Sequence, residues 1–307
     1  MPRHLRSSAR LQQQQVSSTF SDGRTELIPD RPTATHTGLS RTTHKLLLNK
    51  RERLLKGNIR IPDGLLHSEP LVAATLVFAQ EESGTAVCVS PDGLLLTCAH
   101  CIAEEPEELD TAASHWLIFA SGRIVKAVCV AYDEQRDLAL LRITAAQSSP
   151  NDVGLSSESS HSDALGQSKI SQPTYPYIPV APLSTKLAEN KTPLICIGHP
   201  GSENLEVKRS GIKTGYDVLV VSVGRFHGFI PGQDPHDNTS LGGLKHDCWT
   251  YWGHSGAPLV EQVGGTLIGL HSSWDAQTGM RHGVPLVAIV GFLERNKGLF
   301  TEGVLNL

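Results

Sequence analysis

Three widely spaced residues carry side chains suited to hydrolytic chemistry, and each sits in a local setting that fits the task. His100 follows the run Leu95-Leu96-Thr97-Cys98-Ala99. An apolar strand ending in a histidine holds an imidazole rigidly, and an ordinary pKa of about 6.5 makes that ring a usable general base. Asp137 immediately precedes the run Leu138-Ala139-Leu140-Leu141, where a carboxylate is partly buried and needs a partner. Asp133, the nearest competing acid, does not directly precede that run. Ser255 lies in Trp252-Gly253-His254-Ser255-Gly256-Ala257-Pro258. Small residues permit a tight turn that exposes the hydroxyl, and the backbone N–H groups of Gly253 and Ser255 then converge on a developing oxyanion. Alone, G-x-S-G is weak. The order His100, Asp137, Ser255, each in its expected setting, is much stronger.

Two rival chemistries overlap the first segment. Cys98-Ala99-His100-Cys101 is a C-x-x-C, but a redox motif opens a helix within a βαβ unit, whereas Glu104, Glu105 and Pro106 follow at once and apolar runs continue on both sides. Cys98, Cys101 and His115 offer three zinc ligands with no second pair at suitable spacing, so no metal is expected. His199, His227, His246 and His282 read as turn or surface residues.

The elements that must position these residues are short strands. LVAATLVFA, GTAVCVS, GLLLTCA, HWLIFA, IVKAVCVAYD and DLALLRI follow one another from about residue 70, separated by turn signals such as Ser90-Pro91-Asp92-Gly93. Six strands in about 75 residues fit a small closed barrel. A second series runs through LICIGHP, VLVVSVGRF, GAPLVE, GTLIGLHSS and HGVPLVAI, and VAIVGFLERN reads as a closing helix. The expected fold is all-β, with two six-stranded antiparallel β-barrels, a polar N-terminal extension and a C-terminal helix. The boundaries are a flexible basic leader at 1–65 with a short helix at 42–56, a first barrel at 66–145, and a Ser/Pro-rich connector at 146–190. A second barrel with its helix follows at 191–297, then a tail at 298–307. In the leader helix, Thr42 or Thr43 reads as the cap, Leu47, Leu54 and Leu55 share a face, and Gly57 is the stop.

Charge and composition narrow the function classes. Of 307 residues, 39% are hydrophobic and 19% charged, an ordinary globular balance. Residues 1–69 hold 12 Lys/Arg against 6 Asp/Glu, and residues 70–307 hold 15 against 25. An acidic body lacks the positive field of a nucleic-acid binder. No apolar run approaches the roughly 18 residues of a membrane span. The first twenty residues lack a secretory apolar core, so the six cysteines read as reduced thiols and the setting as intracellular, cytoplasmic rather than mitochondrial despite Arg3, Arg6 and Arg10.

These segments together resemble the trypsin-like (chymotrypsin-fold) serine proteases, most closely their HtrA/Deg-type branch. GTAVCVSPDGLLLTCAHCI resembles that branch's hairpin and His segment, DLALLRI its Asp segment, and GHSGAPLV the nucleophile segment G-[ND]-S-G-G-P-L. The likeness covers roughly residues 70–295. It implies a double barrel with the site in the cleft between barrels. Ser255 would be the nucleophile, His100 the general base and then acid, Asp137 its orienting carboxylate, and Gly253 and Ser255 the oxyanion hole. The chemistry implied is cofactor-free hydrolysis of a protein or peptide substrate through an acyl-enzyme.

Four departures accompany the likeness. His254 replaces Asn or Asp, Ala257 a second Gly, and Cys98 a small residue. Trp249 replaces the acid of Lys/Arg-specific members, which leaves a shallow apolar pocket shaped by Trp249, His271, Ser272 and Ser273. Asp247 matches an acid of the branch and reads as orienting the nucleophile loop. About 50 residues after Ser255 leave no room for the branch's PDZ domain. The alternative from another class is a weak or inactive protease-like scaffold. Nothing in the sequence fixes the oligomeric state.

Overall fold

The computed structural model describes residues 25–57, 59, 61, 62, 64, 65, 68–80, 84–148, 174–187 and 191–301. The Arg-rich start, the centre of the connector and the last six residues lie outside these. Residues 25–57 hold β1 (Glu26–Ile28), α1 (Ala34–Thr37) and α2 (Arg41–Lys56). After α3 (Glu69–Ala73) come β2 (Thr75–Phe78), β3 (Thr85–Cys88), β4 (Leu94–Thr97), β5 (Ser114–Phe119), β6 (Ile124–Asp133) and β7 (Leu138–Gln147). These six strands close in the order β7-β4-β3-β2-β5-β6 through the β6–β7 pairing, and β1 adds a parallel edge to β7.

The second closed barrel runs β10-β13-β12-β11-β8-β9. Its strands are β8 (Pro193–Gly198), β9 (Val220–Phe229), β10 (Leu244–His246), β11 (Pro258–Glu261), β12 (Leu267–Trp274) and β13 (Arg281–Pro285), and α4 (Leu286–Arg295) closes it. Two six-stranded antiparallel barrels and a C-terminal helix are thus the architecture, as the strand series predicts.

Period-2 alternation explains why β4 is apolar throughout. Leu95 points into the first barrel with Phe78, Phe119 and Leu141, whereas Leu94 and Leu96 join a cluster that also holds Ile195, Leu270 and Phe292 of the second half. Both faces of the strand are buried, so the histidine that follows it is delivered from a rigid base.

The leader helix is packed against the barrels. Ser40, rather than Thr42 or Thr43, caps α2, accepting from Thr43 N at 3.1 Å. Leu47, Lys50 and Leu54, three and four apart, form its buried face, while Leu55 is exposed. Lys50 Nζ donates to the carbonyls of Phe78 and Gln80 at 2.8 and 2.7 Å. Arg51 reaches Gly122 O of the first barrel and Arg53 reaches Tyr216 O ahead of β9, so the helix bridges both halves.

Connector residues 174–187 are packed as well. Tyr175 stacks on Phe119, Ile178 is buried, and Val180 pairs with Leu267.

Candidate active site

Asp137 and His100 come together at the rim of the first barrel. A turn in which Asp137 N donates to Glu134 O at 3.0 Å throws Asp137 into the left-handed region at φ +53°, the one non-glycine with positive φ among the described residues. Aspartate tolerates that conformation better than most residues, and strain of this kind is held only where surroundings over-determine it. Here they do. Oδ1 accepts from His100 Nδ1 at 2.8 Å and from His100 N at 3.2 Å, and Oδ2 accepts from Ser272 Oγ at 2.7 Å.

The bond to Nδ1 selects the tautomer that leaves Nε2 as the basic nitrogen. The carboxylate is buried, while the imidazole side chain stays 41% exposed on the cleft. Burial pulls the His100 pKa down, but the hydrogen bond and charge of Asp137, with Glu104 beyond, outweigh it and set the ring above its ordinary value.

Ser255 sits on a turn whose backbone is closely held. Gly253 and Gly256 both have positive φ, and a Cβ on Gly256 would collide with Thr85 O and Thr97 Oγ1. The N–H groups of Gly253 and Ser255 donate to no acceptor among the described residues, as open oxyanion donors require. Ser255 Oγ donates to Ser272 O at 3.3 Å, and no hydrogen bond joins it to His100. The Asp137–His100 pair is therefore formed, and the Ser255–His100 contact is not.

The nucleophile turn rests on buried histidines. His254 is fully buried, with Nδ1 at 3.1 Å from Tyr251 O and its ring over Gly198, where a Cβ would collide with it. His246 Nε2 and His271 Nδ1 share one proton at 3.1 Å. Burial above all, with Arg281 adding to it, pushes His246 and His254 down to about 3, and burial with the neighbouring His246 pushes His271 well below its ordinary value. His199 and His282 are buried too, so of the four histidines read as turn or surface residues only His227 is partly exposed. Alternation in Leu244-Lys245-His246 places His246 on the same inward face as Leu244, and is the sequence signal for its burial.

The remaining expected site residues divide. Ser272 and Ser273 line a cleft of about 340 Å³ together with His100, Asp137, Glu104, Glu134 and Asn238. His271 is buried behind them, and Trp249 packs against Tyr216, Tyr251 and His254. Asp247 does not reach the nucleophile loop. It accepts from Arg225 N at 2.6 Å and meets His227 Nε2 at 2.8 Å, bracing β9 against β10.

Burial, with the Asp137 charge beside them, raises the Cys98 thiol well above its ordinary value and Cys101 to about 12, and both are free thiols, which disfavours redox chemistry. Among the described residues, only Cys98, His100 and Asp137 bring three ligand-type atoms within 4.8 Å of one another, and His115 is not with them. No described helix is long and apolar enough to cross a membrane.

The family model of the trypsin-like peptidase domain matches residues 84–270, which include all three residues. The chain belongs to this family. No curated protein matches the sequence. Solved structures similar to it include the HtrA-type protease AlgW with a decapeptide, at 19% identity and a TM-score of 0.46 over 70% of this chain and 51% of that one. Another is the serine endoprotease from Yersinia pestis, at 18% identity and a TM-score of 0.48 over 77% and 67%. The chain thus spans about half the length of the AlgW chain. His100 and Asp137 line the cleft of about 340 Å³ directly, and Ser255 is tied to it through its bond to Ser272 O.

Proposed function

We propose that the chain is a serine endopeptidase acting on protein or peptide substrates. Ser255 is its nucleophile, His100 its general base and acid, and Asp137 the carboxylate that orients His100. The observation that carries this reading is the 2.8 Å Asp137–His100 pair, bonded through Ser272 to the turn of Ser255, where the Gly253 and Ser255 N–H groups donate to no acceptor among the described residues. In the reaction, rotation about the Ser255 side chain breaks its bond to Ser272 O and brings Oγ to His100 Nε2. Nε2 takes the hydroxyl proton as Oγ bonds the scissile carbonyl carbon, and the oxyanion is held by the two N–H groups. His100 then passes the proton to the leaving amine as the C–N bond breaks. Water, deprotonated by the same nitrogen, hydrolyses the acyl-enzyme, and the proton returns to Ser255.

A second reading, a protease-shaped binding module, is favoured by the hydroxyl being engaged with Ser272 O. A fluorophosphonate probe separates the two. Labelling of the wild type that disappears in Ser255→Ala, with thermal unfolding unchanged, is the expected result. Equal labelling of both proteins, or of neither, rejects the nucleophile assignment.

A further inference from the structure

Four consecutive carbonyl oxygens of the nucleophile turn are all occupied. Trp252 O accepts from Gly201 N at 2.6 Å, Gly253 O from Thr85 Oγ1 at 3.0 Å, His254 O from Ala257 N at 2.8 Å, and Ser255 O from Thr85 N at 2.8 Å. All peptides among the described residues are trans, so each N–H points opposite the carbonyl of its own plane. The Trp252 and His254 carbonyls therefore fix where the N–H groups of Gly253 and Ser255 are aimed, and the Gly253 carbonyl fixes the peptide that joins those two planes.

Three of these bonds come from backbone N–H groups, which the fold supplies whatever the side chain. The fourth comes from one hydroxyl. Thr85 is fully buried at the start of β3, and its Oγ1 also accepts from His199 N at 3.0 Å. With that lone pair engaged, the hydroxyl proton is directed to Gly253 O. Thr97 Oγ1 in turn donates to Thr85 O at 2.7 Å. A single residue of the first barrel thus holds the nucleophile turn of the second at two alternate peptides, and ties both to the chain that leaves β8.

We infer that Thr85 is a positioning residue for the oxyanion hole, acting through the orientation of the Gly253–His254 peptide. The inference rests on the serine endopeptidase reading above. Without the hydroxyl, Gly253 O and His199 N lose their partner, and the peptide plane beside the Gly253 N–H is held only by its own His254 N–H, which donates to Tyr251 O at 3.0 Å, so that it can rotate about that bond. Glycine at φ +94° offers no side-chain resistance to that rotation. Ground-state binding of the peptide does not use these donors as strongly as the transition state does.

The test uses Thr85→Val, which keeps the shape and removes the hydroxyl, and Thr85→Ser, which keeps the hydroxyl. Each is assayed as the full chain on a peptide substrate and on a peptide aldehyde of the same sequence, whose hemiacetal oxyanion mimics the transition state. For Thr85→Val, kcat falls about 10- to 100-fold with KM within about threefold, and aldehyde affinity falls in step with kcat/KM. Thr85→Ser stays within about threefold of wild type on every measure. A merely structural role lowers the unfolding temperature but leaves the kcat of the folded protein and the aldehyde-to-substrate affinity ratio unchanged. That outcome overturns the inference. A tenfold kcat loss in Thr85→Ser overturns it as well, even if Thr85→Val does not fold. Wild type inert to the fluorophosphonate probe is a different failure, rejecting the peptidase reading and the inference with it.

Discussion

The two barrels support the cleft by opposite electrostatic means. On the first, Asp137 is a buried carboxylate and its imidazole partner is drawn towards the charged state. On the second, the nucleophile turn is underpinned by His246, His254 and His271, all buried and all driven towards neutrality. One half stores charge where a proton must be accepted, and the other excludes charge where backbone dipoles must stay aimed. A buried neutral ring fills volume and fixes hydrogen bonds without competing with the oxyanion for the same donors.

The sharpest break in the first half is Asp137→Asn. The amide keeps the shape but favours the wrong His100 tautomer, and kcat is expected to fall about 10⁴-fold with little change in KM. Steady-state hydrolysis checks this, and a loss below about tenfold would mean that the pair is structural. The corresponding break in the second half is in stability. These histidines have folded pKa values below the unfolded value of about 6.5, so the unfolded chain binds more protons below that pH. Their stabilisation is present above pH 6.5 and is lost as pH falls towards 3. Urea unfolding followed from pH 7 to 4 should show that loss, and His254→Asn should reduce the proton uptake on unfolding by close to one. An unchanged pH slope in the variant would place the loss elsewhere.

Much of this contrast was legible in the sequence on the first-barrel side and little of it on the second. The His100 and Asp137 segments announce themselves because an apolar strand abuts each polar residue, and strand alternation with the Ser90-Pro91-Asp92-Gly93 turn fixes their hairpin. Gly93 indeed takes φ +85°, its N–H closing on Ser90 O at 3.1 Å. By contrast, Ser272 binding Asp137 crosses 135 positions and leaves no local trace. The docking of β1 was equally silent, since three residues, Glu26–Ile28, in a polar stretch give no period. Asp137's left-handed backbone depends on the Glu134–Arg136 turn and on two partners elsewhere in the chain.

The leader helix tests whether both halves depend on one outside clasp. Lys50→Met removes both donors from Phe78 O and Gln80 O, just ahead of the strand that carries Thr85. A loss of about 2–3 kcal/mol in urea unfolding is expected, because the buried Phe78 carbonyl and the half-buried Gln80 carbonyl both lose their charged donor. A loss below about 1 kcal/mol would show that water replaces the ammonium without cost, and the helix would then be an appendage.

The smallest effect sharpens the first half alone. Glu104 is exposed, yet its charge adds to Asp137 in raising the His100 pKa. Catalysis needs the neutral ring, so activity falls as pH drops through that pKa, and the acid limb of kcat/KM lies above the ordinary histidine value. Glu104→Gln removes one of the charges holding it there, and the limb should move down slightly at low ionic strength. The shift should fade at about 1 M salt, where the screening length is about 3 Å. The Asp137 contribution is made across a buried 2.8 Å contact and should not fade with it. A limb that moves with salt as much in Glu104→Gln as in wild type would mean that other surface acids, rather than Glu104, set the exposed part of the field at His100.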